Sequence, residues 1–97
     1  MRAQEFYDYM KTKTYIEKGV EKFYTDTAIE GRINHLRNLE DIFNVDLDLK
    51  CISCQTGKLF LQEIRNKNIE DLRHTPLSNA FRHYFEFATG VYIGRIF

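Results

Sequence analysis

Apolar residues recur along most of the chain at intervals of three and four, the signature of helices that bury one side. The clearest run is Ile29, Ile33, Leu36, Leu39 and Phe43, spaced 4, 3, 3 and 4 apart. It predicts a helix that stops at Asn44. Thr27-Ala28-Ile29-Glu30 reads as its capping box, in which the Thr27 hydroxyl and the Glu30 carboxylate each accept from the other's backbone N–H. Arg32, His35, Asn38 and Asp41 fall on its outer face. Gly31 costs about 1 kcal/mol against alanine in a helix and reads as the mark of a close helix crossing.

Three more helices follow from the same pattern. The first spans Ala3 to Lys13 with Phe6, Tyr9, Met10 and Lys13 on one face; its acids come early and its lysines late, as a helix dipole favours. The third spans Thr56 to Asn66, with Leu59, Phe60, Leu61 and Ile64 on its buried side. The last opens at Thr75, the expected N-cap, with Pro76 in the first helical position, and closes at Gly90. Leu77, Ala80, Phe81, Tyr84, Phe85 and Ala88 form its stripe, and Arg82 and Glu86 pair on its outer face.

The connections are less periodic. Thr14 to Tyr24 is interrupted by Gly19 and reads as a loop or short helix whose aromatics pack on the core. Residues 44–49 alternate polar and apolar. A short strand and an extended loop both fit, and the loop, dropping Val45, Leu47 and Leu49 into a helical core, is the reading preferred. Ile69 and Leu72 are expected as core anchors in a turn. Residues 91–97 form an apolar tail that packs back, pairs with another subunit, or marks a cut in a longer parent.

Composition narrows the class. Of 97 residues, 43% are hydrophobic and 29% charged, which excludes a disordered chain. Fourteen basic and 14 acidic side chains balance, which excludes a broadly basic nucleic-acid binder but leaves room for a basic face. The halves differ mildly: residues 1–48 carry 7 basic and 10 acidic groups, residues 49–97 carry 7 and 4. No apolar run approaches the roughly 18 residues of a membrane span, and the first ten residues lack the apolar core of a secretory signal. Eight Phe and six Tyr supply an aromatic-rich core. Two cysteines are too few for a disulfide scaffold, and a cytoplasmic setting is expected.

Few residues suggest chemistry. Cys51-Ile52-Ser53-Cys54 has the spacing of a metal knuckle or a redox dithiol. The downstream histidines give C-x2-C-x19-H-x8-H, which matches no common zinc spacing, and no strand precedes the motif as a thioredoxin-like site requires. The cysteines read as small residues near a helix start. His35, His74 and His83 are read as surface histidines. No catalytic triad order, nucleophile elbow, P-loop or dinucleotide glycine pattern occurs. The adjacent carboxylates Glu40-Asp41 and Glu70-Asp71 do not share a helix face.

The order of features resembles the N-terminal core-binding domain of tyrosine recombinases and phage-type integrases, a small four-helix SAM-like domain. The residues that carry the likeness are Glu5-Phe6-Tyr7-Asp8-Tyr9-Met10, the Thr27-to-Phe43 helix, the segment from Val45 to Phe60, and Asn79-Ala80-Phe81-Arg82-His83-Tyr84-Phe85-Glu86-Phe87. The likeness spans residues 3–89 and rests on helix order and apolar spacing. The family's catalytic Arg, Lys, His and Tyr have no counterpart, and His35-Leu36-Arg37 is not its His-x-x-Arg motif. The resemblance implies a DNA-binding module without the chemistry.

The sequence thus predicts one all-α domain over residues 1–97: four main helices, a loop-rich middle, and no catalytic residue, cofactor or metal. The expected activity is protein–protein or self-association, with Tyr7, Tyr92, Ile93, Ile96 and Phe97 as candidate interface. The alternative is a DNA-binding module of a recombinase-like or restriction-modification protein. Its phosphate contacts would come from Arg32, Arg37, Lys58, Arg65, Lys67, Arg73 and Arg82.

Overall fold

The structure, a computed structural model, describes residues 1–94. Its elements are α1 (Ala3–Thr12), β1 (Thr14–Glu17), β2 (Val20–Phe23), α2 (Asp26–Phe43), a 3-10 turn (Leu47–Lys50), α3 (Cys54–Lys67) and α4 (Pro76–Thr89). The four helices are those the periodicity predicts. The fold is mostly helical but not strictly all-α, because β1 and β2 pair as an antiparallel sheet. That hairpin replaces the loop or short helix expected over residues 14–24. Its turn is Lys18-Gly19, both left-handed with φ of 52° and 79°. Two such residues in succession give the turn whose twist matches paired strands, and glycine adopts the second without a Cβ clash.

The core gathers around α4. Its Leu77, Ala80, Phe81, Tyr84 and Phe85 are buried. Around them pack Phe6 and Met10 of α1, Ile29, Ile33, Leu36 and Leu39 of α2, and Phe60, Leu61 and Ile64 of α3. Aromatic rings link these layers. Phe43, Phe60 and Phe81 follow one another at 5.1 and 4.9 Å, and Phe6 lies 5.4 Å from Tyr84. Such edge-on and tilted pairs each contribute about 0.5–1.5 kcal/mol beyond area burial. Leu47 is buried as expected, but Leu49, Leu59 and Leu72 are exposed. The 3-10 turn points Leu49 outward, and the buried stripe of α3 begins instead at Gly57.

Helix ends depart from expectation in instructive ways. The cap of α2 is Thr25, whose hydroxyl accepts from the Ala28 N–H at 3.1 Å, two residues before the predicted box. Asp26 then extends the helix while accepting from the Tyr7 hydroxyl at 2.7 Å and the Lys11 ammonium at 2.6 Å. Ser53 caps α3 through the Thr56 N–H, so that helix starts two residues earlier than predicted. Asn44 and Asn68 end α2 and α3 in the left-handed conformation, and Gly90 ends α4. The Thr75 hydroxyl makes no cap bond and is buried without a partner. Glu70 does that work from the preceding loop. Its carboxylate accepts from the N–H groups of Leu77 (2.8 Å) and Ser78 (3.2 Å) and from the Ser78 hydroxyl (2.7 Å).

A polar network ties the first residues to α4. The Tyr84 hydroxyl donates to Asp48 at 2.5 Å and accepts from the Arg2 N–H at 2.9 Å. The Met1 ammonium donates to Asp46 at 3.1 Å and lies 3.3 Å from Glu40. Burial pulls that ammonium down, but the bonds to Asp46 and Glu40 outweigh it and hold it above its ordinary pKa. Gly31 faces open space, with no atom within 4 Å of a Cβ built there, so it marks no close crossing. The close approach is at Gly57, whose Cβ would meet the Phe85 ring and Ile93.

Candidate docking surface

In the hairpin the pairing is Thr14↔Phe23, Tyr15↔Lys22, Ile16↔Glu21 and Glu17↔Val20. Directly opposed residues share a face. One face therefore carries Thr14, Ile16, Glu21 and Phe23, and the other Tyr15, Glu17, Val20 and Lys22. The second face is anchored. Tyr15 packs against Tyr24 at a tilt with ring centroids 4.8 Å apart, and Tyr24 meets His83 of α4 edge-on at 5.9 Å. The Arg32 guanidinium covers the Tyr24 ring at 5.0 Å. Glu17 and Lys22 pair across the strands at 3.7 Å. The first face is open: Ile16 is 69% exposed and Phe23 66%; on the other face Val20, beside the turn and away from the Tyr15 anchor, is 56% exposed.

These three residues were not among the sequence candidates. The signal was present: β-branched and aromatic residues flank Lys18-Gly19 at the spacing of a two-residue hairpin. Of the residues that were candidates, Tyr7 is half-buried and spends its hydroxyl on Asp26, whose carboxylate pushes the phenol up to about 12. Tyr92 is exposed. Ile93 is 3% exposed and joins the core over Gly57, so this part of the tail packs back on the molecule. Ile96 and Phe97 lie outside the described residues.

The seven cationic candidates do not form one group. Arg82 is 7% exposed, not on an outer face, and its guanidinium donates to Asn79. It is buried because α4 is enclosed on nearly every side. Its expected partner Glu86 instead accepts from Lys13 at 2.7 Å and Tyr9 at 3.3 Å. Arg32 is half-buried over Tyr24. Arg37, Lys58, Arg65, Lys67 and Arg73 are exposed and belong to α2, α3 and the 68–75 connection. Lys67 lies over the Phe43 ring at 5.8 Å.

The remaining chemistry-bearing groups are dispersed. Cys51 is buried, and desolvation with Asp48 nearby pushes its thiol up to about 12. Cys54 is exposed in the first turn of α3. His83 is half-buried rather than fully on the surface. Burial, then the positive charge of Arg32, lowers its pKa to about 4, so its imidazole is neutral near pH 7. Among the described residues no three His, Cys, Asp or Glu side chains converge as a metal-holding group. Among them, too, no helix is long and apolar enough to cross a membrane.

Comparison with protein-family models, with curated proteins and with solved structures returns no match to this chain, so none bears on the recombinase-domain resemblance.

Proposed function

We propose that this chain is a non-catalytic binding module that docks onto protein through the hairpin Thr14–Phe23. The observation that carries the reading is the open face of Ile16 and Phe23 on a hairpin pinned to α2 and α4 by Tyr15 and Tyr24. A two-stranded hairpin is marginal by itself, and its strands are both edges. Apolar side chains held open on such an edge favour a protein partner, since burying an isoleucine or phenylalanine contributes about 1.5–3 kcal/mol. The balanced charge of the chain does not oppose association with a further copy.

The test is light-scattering mass determination at about 50 and about 500 mM salt, alone and with a short duplex, since phosphate contacts weaken steeply with salt. The expected result is an assembly larger than 11.6 kDa that survives high salt and is lost in the Ile16→Thr/Phe23→Thr double variant. Threonine keeps strand propensity, so circular dichroism should show the variant folded. A chain of 11.6 kDa that joins the duplex only at low salt would overturn the reading in favour of nucleic-acid binding.

A further inference from the structure

We infer that the occupant of the hairpin is a second copy of this chain, paired antiparallel along the free edge of β1 about a two-fold axis at Tyr15. The inference rests on the docking reading above and adds the partner, the strand and the register.

The two-residue turn closes on Glu17↔Val20 and makes that a hydrogen-bonded pair. Bonded and non-bonded pairs then alternate, so Tyr15↔Lys22 is bonded as well. The backbone groups of Thr14 and Ile16 on β1, and of Glu21 and Phe23 on β2, therefore point away from the partner strand. Among the described residues none of them has a backbone bond to another element.

Symmetry decides between the two edges. A two-fold axis between antiparallel strands passes beside one residue, which then faces its own copy. On β2, exchanging the outward groups of Glu21 and Phe23 puts the axis at Lys22. Two lysines then oppose one another in a pair whose Cα atoms are about 4.5 Å apart, and like charges so placed repel. Moving the axis to Glu21 opposes two glutamates instead, and moving it to Phe23, the last residue of β2, carries half of the pairing onto Tyr24 and the Thr25 cap of α2. On β1, exchanging the outward groups of Thr14 and Ile16 puts the axis at Tyr15, and two aromatic rings meet. The same register sets Lys13, whose backbone is extended, across from Glu17 of the second copy. Opposite charges thus face one another on both sides of the axis, in addition to the pairs that Lys13 makes with Glu86 and Glu17 with Lys22 within each chain. It also sets the two Ile16 side chains diagonal to one another. Phe23, Ile16 and their copies then form one apolar band across a four-stranded sheet. A two-fold pairing is closed, so assembly stops at two chains.

The test uses the full chain with Cys54→Ser, so that no native exposed thiol competes. Tyr15→Cys and Lys22→Cys variants are oxidised and their masses read. Opposed cysteines in a non-hydrogen-bonded pair lie within disulfide reach, so Tyr15→Cys should give a covalent species of twice 11.6 kDa, and Lys22→Cys should not. Because Tyr15 also anchors the hairpin, a second measurement leaves it intact. Glu17→Lys, which sets lysine against Lys13, should weaken dimerisation several-fold, while Lys22→Glu should leave it unchanged. Cross-linking through Lys22→Cys, a dimer indifferent to Glu17→Lys, or growth past two chains overturns the register. If those variants fail but Ile16→Thr/Phe23→Thr still abolishes association, the docking reading stands without this pairing. If the double variant associates like the parent, both fall.

Discussion

Two helical glycines give the structure opposite demands, and exchanging each for alanine tests the packing of α3 on α4. At Gly57 a Cβ would lie 2.6 and 2.8 Å from carbons of the Phe85 ring and 3.2 Å from the Ile93 Cδ1. Phe85 is fully buried, with Phe81 6.2 Å away, so its ring has little room to retreat. Overpacking of this kind costs about 1–3 kcal/mol, against about 0.8–1 kcal/mol gained in helix propensity. Gly57→Ala should therefore destabilise by a net of up to about 2 kcal/mol, toward the upper end because both ring contacts fall under 3.0 Å. At Gly31 a Cβ meets nothing within 4 Å, so only the propensity gain of about 0.5–1 kcal/mol remains. For a domain of this size 1 kcal/mol moves Tm by about 4–8 °C, so the two variants should separate on either side of the parent. Thermal and urea unfolding followed by circular dichroism measure both, with the urea m-value expected to stay constant. A Gly57→Ala variant as stable as the parent would refute the close approach of α3 to Phe85 and Ile93.

Other expectations follow from single groups. His83 has its folded pKa lowered to about 4, so as pH falls below 6.5 the unfolded chain takes up the proton first and stability declines until about pH 4. The loss is about 2 kcal/mol once solvent screening is allowed for; His83→Gln should flatten it, and an NMR titration of His83 near 6.5 would contradict it. Glu70→Ala removes the cap of α4 and should cost about 1–3 kcal/mol in urea unfolding, while Thr75→Val, at a hydroxyl with no partner, should cost little or stabilise. A maleimide reagent should label one thiol of the folded chain, Cys54, and a second, Cys51, only on unfolding; two rapid labels would show Cys51 to be accessible.

How much of this was legible in the sequence depends on the range of the interaction responsible. The helices were legible because Ile29, Ile33, Leu36, Leu39 and Phe43, and the matching residues of α4, repeat locally. The stops at Asn44 and Gly90 were legible for the same reason. Burial beyond one stripe was not. Periodicity finds a single apolar face, whereas α4 is enclosed by α1, α2 and α3, which buries Arg82 and half-buries His83. The Glu70 cap reaches seven residues forward, outside the local pattern of a capping box. The hairpin was missed because lysine, not asparagine or aspartate, holds the first turn position, and because every residue of β2 is exposed and leaves no alternation to read. The missed element is also the one on which the candidate docking surface is built, and the sequence candidates Ile93 and Arg82 proved to belong to the interior.

Amide hydrogen exchange at about 1 µM and about 300 µM chain tests the β1 pairing most directly, because exchange of paired amides slows only where a hydrogen bond forms. The predicted result is protection of the Thr14 and Ile16 amides that appears at the higher concentration, with the Tyr15 and Glu17 amides, already bonded within the hairpin, changing less. Protection that appears instead at Glu21 and Phe23, or no concentration dependence anywhere in residues 14–23, would contradict it.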